Sequence, residues 1–347
     1  MLQGNLFQDF GSWLDGTGPY ASVVLASRLR ISRNILGYPF SHWSDPGQQK
    51  EIAQIIARAV SYSRFFKNTL NINLNQITKT KRNFLVERYL ISPKKSDADD
   101  YRQLFVRSGE TLSLLINEED HLRLQGLLSG LQLRETWNVL SKVMEDLASR
   151  LEFCYSPTWG YVAAAPANAH TGLRASIIVL LPGLTLSRTL GSVFSFLKTE
   201  GLVVRSFRGK DTNPAGGIFQ ISNLLSEGTE PDIISKLERA AKKIISAENQ
   251  ETQRLLTKNR LLAEDKIWRS LGLLRNSRLL SLDECLECLA MARLGINIGL
   301  LPELEYKNIN KLLISIQPAH LKTLFIKDLD VATADAGRAR LMRRIFN

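Results

Sequence analysis

The apolar run Leu112-Ser113-Leu114-Leu115-Ile116 is followed directly by Asn117-Glu118-Glu119-Asp120-His121-Leu122-Arg123. A second strand-like run, Leu104-Phe105-Val106, lies upstream, and Ser108-Gly109-Glu110 between the two is a hairpin signal. The acidic segment is therefore expected at a strand exit. A loop held there by a rigid sheet is a common place for chemistry. This local pattern asks for a sheet at least partly antiparallel, and for a function that uses carboxylates beside an arginine.

The rest of the chain supplies the arginines. Val23-Val24-Leu25 leads into Ser27-Arg28-Leu29-Arg30-Ile31-Ser32-Arg33-Asn34. If that stretch is extended, alternation puts Arg28 and Arg30 on one face. Arg174 stands in Thr171-Gly172-Leu173-Arg174-Ala175-Ser176, and Arg205 and Arg208 in Arg205-Ser206-Phe207-Arg208-Gly209-Lys210-Asp211-Thr212. Arginine offers planar donors that match phosphate oxygens. Phosphoryl transfer from a nucleotide is mainly positioning and charge neutralisation. A guanidinium acceptor also needs a carboxylate to hold it and remove a proton. Separated arginines with a nearby carboxylate are what such an enzyme requires. Each piece alone has a bland reading as a solvated face, a turn or a helix start.

Composition narrows the choices. The chain has 347 residues, 44% of them hydrophobic, enough for one large core or two domains. No apolar run approaches the roughly 20 residues needed to span a bilayer, and the N-terminus lacks the pattern of a signal peptide. A cytoplasmic protein is expected. The odd cysteine count of 3 argues against a disulfide framework, and Cys285-Leu286-Glu287-Cys288 reads as part of an amphipathic core helix. A net charge of +11 favours anionic partners. The scattered arginines and the lack of a DNA-binding signature point to nucleotide rather than nucleic acid.

Periodicity predicts helices over 47–68, 131–149 and 184–199, and strands at Leu151 to Tyr155, Tyr161 to Ala165, Thr171 to Leu180, Leu202 to Val204 and Ile218 to Ile221. From Pro231, at a first helical turn capped by Thr229, the pattern is almost all helical through Leu300. The composition shifts near residue 255 to Leu-rich helical segments. The expected fold class is α+β: an antiparallel sheet flanked by helices over 1–254, followed by an all-α domain over 255–347.

Taken in order, Ser27-Arg28-Leu29-Arg30, Val86-Glu87-Arg88-Tyr89-Leu90-Ile91-Ser92-Pro93, Asn117 to Arg123, Thr171 to Ser176 and Ile218-Phe219-Gln220-Ile221-Ser222-Asn223 resemble the ordered motifs of the phosphagen (ATP:guanidino) kinases. The chain is most similar to the bacterial protein-arginine kinases of the McsB type, nearly end to end. The resemblance implies ATP with Mg2+ as phosphoryl donor and protein arginine side chains as acceptors. It implies a role in protein quality control or stress regulation, alongside an McsA-like activator and a Clp protease. It also implies a homodimer in the bacterial cytoplasm. By matched position, Glu119 faces the guanidinium, supported by Glu118, and the creatine-kinase-like Asp211 is a further candidate for contact with the acceptor. Ser27, Arg28, Leu29, Arg30 and Ile31 form part of the nucleotide site, with Tyr89 and Arg123. So do Arg174, Ala175, Ser176, Ile177 and Ile178, and Arg205, Ser206, Phe207, Arg208, Gly209 and Lys210. Asp335 and Arg338 match a phosphoarginine receptor in the helical domain.

The pattern also breaks. Ala165 replaces a reactive cysteine, His170 a glycine, and Lys210 a second catalytic glutamate, while Asp211-Thr212 follows as in creatine kinases. Tyr89 stands for a nucleotide-contacting histidine, and Ala334 for the first arginine of the receptor motif. These departures leave a second reading open, a pseudokinase or adaptor that keeps the fold and nucleotide binding without efficient catalysis.

Overall fold

A computed structural model describes residues 6–93, 101–207, 215–325 and 330–347. Its centre is an eight-stranded sheet, antiparallel throughout. The strands are β1 (Val24–Arg33), β2 (Leu70–Asn73), β3 (Gln103–Val106), β4 (Leu112–Ile116) and β5 (Leu122–Ser129), a two-stranded ribbon of β6 (Tyr155–Ser156) and β7 (Gly160–Tyr161) outside the sheet, and β8 (Leu173–Leu180), β9 (Leu202–Ser206) and β10 (Ile218–Asn223). The spatial order is β2-β3-β4-β5-β1-β8-β10-β9, so the arginine-bearing β1 sits mid-sheet between β5 and β8.

Alternation divides each central strand between two environments. Leu29 and Ile31 of β1, Leu122 and Leu124 of β5, and Ala175 and Ile177 of β8 face a large apolar core. Helices α1 (Pro46–Tyr62), α3 (Leu133–Ala148), α5 (Leu190–Thr199) and α6 (Glu230–Lys258) close that face, while α2 (Lys79–Glu87) covers the β2–β4 edge and α4 (Pro182–Leu186) follows β8. The approach of α3 to β5 is close. A Cβ on Gly126 would stand 2.5 Å from Thr136 Cγ2, so only glycine fits there.

The opposite face is split. One half is apolar, with Leu25, Leu127, Ile178, Leu180 and Ile218. The helices α7 (Arg260–Asn276), α8 (Leu282–Asn297), α9 (Tyr306–Ser315), α10 (Pro318–Phe325) and α11 (Val331–Phe346) pack as a layer whose core is continuous with this half. Cys285 and Cys288 are buried in α8. The other half of the face carries the arginines and remains open as a cleft.

Several expectations change. Expected strands 151–155 and 161–165 shrink to the short β6–β7 ribbon, where Pro157, Gly160 and Pro166 interrupt the ladder. The expected helix 184–199 breaks into α4 and α5 at Arg188, whose φ is +58°. Helix 47–68 ends at Tyr62, and Leu70–Asn73 becomes a strand that the sequence reading missed. Thr229 caps α6 by accepting from Asp232 N–H, with Pro231 in the first turn, as expected. The expected division at 254/255 falls within the last turn of α6. No helix among the described residues is long and apolar enough to cross a membrane.

Candidate active site

The segment 117–121 is the hairpin turn between β4 and β5. Asn117 N–H donates to His121 O at 2.9 Å, and Glu118 N–H to Asp120 O at 3.1 Å. The turn puts Asn117 at φ +54°, a region asparagine tolerates better than most residues. Its side-chain amide then donates to Gln49 O at 2.7 Å and Tyr101 O at 3.2 Å.

The two glutamates differ. Glu118 pairs with Arg123 and accepts from the Ser92 N–H at 3.0 Å, while Ser92 Oγ accepts from Arg123 Nη1 at 2.7 Å. Burial alone would raise the pKa of Glu118. Arg123, the Ser92 bonds and Arg30 outweigh burial and hold it below the usual carboxylate value. Glu119 is exposed to the cleft and has no hydrogen-bond or ion-pair partner among the described residues. The next two residues are structural. Asp120 is bonded to Asn34 and to the Ala164 N–H, and His121 is buried between Ile35 and Pro39.

The cleft has a volume of about 650 Å³. Its walls bring together Glu118, Glu119, Arg30, Arg123, Arg174 and Arg205, from the turn and from strands β1, β5, β8 and β9. Arg30 and Arg174 are direct cross-strand partners. Like charges so placed oppose folding. Burial, then Arg28, Arg123 and Arg174, push Arg30 well below its ordinary pKa, and burial followed by Arg205 lowers Arg174. Arg30 Nε and Arg123 Nη2 are buried without a partner among the described residues. Buried donors left unpaired are costly unless a ligand completes them. Among the described residues the site is thus short of negative charge and of acceptors, as a polyphosphate site should be.

The other expected residues fall in different places. Among the described residues, neither Arg28 nor Tyr89 lines the cleft. Arg28 donates to Gln125 Oε1 at 2.8 Å and to Tyr89 O at 2.9 Å. Burial, then Arg123, lowers its pKa to about 9. The Tyr89 ring sits edge-on to Trp13 and Phe207, its hydroxyl donating to Phe207 O at 2.9 Å. Ser27 Oγ donates to Gly130 O at 2.8 Å, and Ser176 Oγ to Arg28 O at 3.2 Å. Leu29, Ile31, Ala175 and Ile177 are core on the far face, and Ile178, Ser206 and Phe207 are buried. Arg208, Gly209, Lys210 and Asp211 lie outside the described residues. Ala165 lines the cleft, and its methyl group offers no thiol there. His170 takes φ +71°. Arg338 pairs with Asp335 and donates to Ile316 O at 3.0 Å, bolting α11 to α9 from within. Residues that the sequence reading passed over also line the cleft, chiefly His42, Arg102 and Asn168. Nothing in local sequence marks them, because they enter through long-range packing.

An open cleft on the face of an antiparallel sheet, lined among the described residues by unsatisfied arginine donors and a glutamate without a partner, has the charge pattern suited to a phosphotransferase. The profile described as "ATP:guanido phosphotransferase, C-terminal catalytic domain" matches residues 51–251, and "Protein-arginine kinase McsB C-terminal domain" matches 258–347. The chain belongs to the ATP:guanido phosphotransferase family, in its protein-arginine kinase branch. It is 39% identical to a protein-arginine kinase of Symbiobacterium thermophilum, covering 95% of each chain. It is 34% identical to one from Halothermothrix orenii, covering 100% of this chain and 99% of that one. The sheet also superposes on a solved lombricine kinase, with TM-score 0.60 at 22% identity over 70% of this chain and 71% of that one. A duplicated taurocyamine kinase from Schistosoma mansoni gives TM-score 0.61 at 21% identity over 70% of this chain and 36% of that one, and these two likenesses bear on fold alone. The protein is a guanidino phosphotransferase enzyme, and nothing in these relatives specifically favours the pseudokinase reading.

Proposed function

We propose that this enzyme moves the γ-phosphoryl group of ATP onto arginine side chains of proteins, with Glu119 as the carboxylate that receives the guanidinium. The observation that supports this reading is the pairing pattern among the described residues of the cleft: Glu118 is occupied by Arg123, whereas Glu119 has no partner there and Arg30 Nε and Arg123 Nη2 are unsatisfied. Glu119 holds the guanidinium and takes its proton as the nitrogen attacks the γ-phosphorus. The bond to the β,γ-bridging oxygen breaks, and ADP leaves with the electron pair. Arg30, Arg123, Arg174 and Arg205 neutralise the three γ-oxygens and the leaving phosphate. Arg28, bound to Gln125 and Tyr89, acts from behind as a positioning residue.

The fit to ATP rests on the unpaired Arg30 Nε and Arg123 Nη2. Mg2+ fits as a passenger of the phosphates, which it usually binds with only one or two protein carboxylates. Among the described residues no group of three or more His, Cys, Asp or Glu side chains converges on a cation. Bound Mg2+ supplies charge neutralisation on the phosphate oxygens. Asp211 and Lys210 lie outside the described residues, and the reading assigns Asp211 to the acceptor and Lys210 to the nucleotide.

The wider setting follows the branch to which the chain belongs. The reading includes a bacterial cytoplasmic location, a homodimer, an McsA-like activator and delivery of marked proteins to a Clp protease. Residues 1–254 act as the phosphotransferase unit. Residues 255–347 act as a helical dimerisation unit, in which Arg338, matched by resemblance to a phosphoarginine receptor, is buried and committed to Asp335 and Ile316 O. Mass spectrometry under conditions that preserve acid-labile phosphate tests the core of this reading. Incubation with ATP, Mg2+ and an unfolded protein should yield phosphoarginine, with or without an activator. Failure to form it under both conditions would overturn the assignment.

A further inference from the structure

Two loops flank Glu119, and the side chains that follow it fasten both. Asp120 Oδ1 accepts from Asn34 Nδ2 at 2.8 Å and from Ala164 N–H at 2.8 Å. Asn34 Nδ2 also donates to Val162 O at 3.0 Å, and Asn34 Oδ1 accepts from His121 N–H at 2.9 Å. His121 Nδ1 accepts from Ile35 N–H at 3.0 Å, which leaves Nε2–H to donate to Pro39 O at 2.8 Å. Asn34, Ile35 and Pro39 are thereby fastened on one flank and Val162 and Ala164 on the other. Buried polar bonds of this kind are expensive to break, so the loops are held in place.

What the pinned loops present is aromatic. Trp43 is 71% exposed, yet its N–H donates to Phe40 O at 2.8 Å, and Ser44 Oγ closes the same turn on Pro39 O at 2.8 Å. The Trp43 ring lies 4.6 Å from that of His42, which lines the cleft, and 5.6 Å from Phe40. On the other flank the β6–β7 ribbon presents Trp159, 64% exposed, and Tyr155, 59% exposed. Trp159 O accepts from His170 N–H at 3.1 Å, just past the cleft-lining Asn168. The two flanks are joined where Leu36 N–H donates to Glu152 O at 3.0 Å and Cys154 N–H to Asn34 O at 2.7 Å. Single exposed apolar residues need no explanation. Exposed rings on segments that border a reaction cleft, one of them reaching it through His42, have the composition of an interface.

We propose that this rim, with Trp43 and His42 on one side and Trp159 and Tyr155 on the other, is the docking surface for the polypeptide that carries the target arginine. The proposal rests on the protein-substrate reading of the cleft. The rim is continuous with the cleft through His42, so a guanidinium that reaches Glu119 brings its own main chain over the rings. An extended, unfolded segment fits this geometry, its apolar neighbours lying on the aromatic faces. Rigid rings lose little conformational freedom on contact, and the pinned loops are already ordered.

The test uses the full-length enzyme with Trp43 and Trp159 changed to alanine, singly and together. Both side chains are exposed, so neither change threatens the core. The probe is a fluorescein-labelled, unfolded casein fragment read by anisotropy, beside nucleotide binding and phosphoarginine formation. The double variant should bind the fragment about tenfold more weakly, a loss of about 1.4 kcal/mol. Its nucleotide affinity and its rate at saturating fragment should stay at parental levels, and Trp43→Phe should recover part of the loss. Unchanged fragment affinity, no fragment binding by the parent, or an equal loss of nucleotide affinity would overturn the proposal. A parent that binds the fragment through Trp43 but forms no phosphoarginine would strike the proposed activity and leave the docking surface standing. A double variant that phosphorylates subsaturating fragment as fast as the parent does would strike the docking surface alone.

Discussion

Glu118 and Glu119 are adjacent in sequence and opposite in use. Both were legible from the strand exit that precedes them. The partner that occupies Glu118 was not, because Ser92 arrives from a distant segment and Arg123 is brought back by the β4–β5 turn. Arg28 carries the same lesson, since its alternation with Arg30 is real while its donors are committed to Gln125 and Tyr89. The Glu118 pair has a pH signature. Its folded pKa is lowered, so its stabilisation is present above the unfolded value of about 4.3 and is lost as pH falls through the folded value. Glu118→Gln should therefore be less stable than the parent at neutral pH in urea unfolding, with the gap closing below about pH 4. A gap of the same size at both pH values would contradict the pairing.

At the scale of elements, the turn 117–121 depends on one strained residue. Asn117 at φ +54° makes two side-chain bonds that brace the turn against Gln49 and Tyr101. Asn117→Val should cost about 2–4 kcal/mol, from left-handed strain plus two lost bonds. Asn117→Gly loses the bonds but not the geometry and should cost about half of that. Denaturant titration separates the two, and equal losses would remove strain from the explanation. Helix α6 was readable from its cap and first-turn proline, since both are local. The α4–α5 break and the short β6–β7 ribbon were not. An apolar run reads alike whether it is continuous or kinked at Arg188, and the ribbon is set by its pairing with the loop at His170. Glu248 on α6 accepts from Gly183 N–H at 2.7 Å and Leu184 N–H at 3.0 Å at the start of α4. Glu248→Ala strands both donors and should destabilise the fold by about 2–4 kcal/mol in the same assay. A change below about 0.5 kcal/mol would show that the helix start is satisfied some other way.

At the scale of the whole molecule, the change in composition near residue 255 was visible, but not that the helices beyond it share a core with the sheet. That core joins residues from Trp13 to Phe346, a separation no local pattern reports. The junction is also polar. Glu87, ending α2, accepts from Ala319 N–H at 2.7 Å and from His320 Nδ1–H at 2.6 Å, while Arg88 Nε donates to His320 Nε2 at 3.1 Å. His320 is thus neutral, and burial, opposed by Glu87 and aided by Arg88, lowers its pKa. An imidazole whose folded pKa is lowered costs stability as pH drops below the unfolded value of about 6.5, because the unfolded chain takes the proton first. Between pH 7 and 5.5, His320→Gln should shift the slope of stability with pH in the stabilising direction relative to the parent. An unchanged slope would show that His320 does not drive it. The same segment continues to Tyr89 and Ser92, so the helical layer is bonded to the strap that holds Glu118 and Arg123. The central claim, that Glu119 is the carboxylate of an active arginine phosphotransferase, is tested most directly by phosphoarginine formation in Glu119→Gln beside the parent. The account predicts a rate about 10²–10⁴-fold lower with nucleotide binding and folding stability retained. Equal phosphoarginine yields from the two proteins would contradict it.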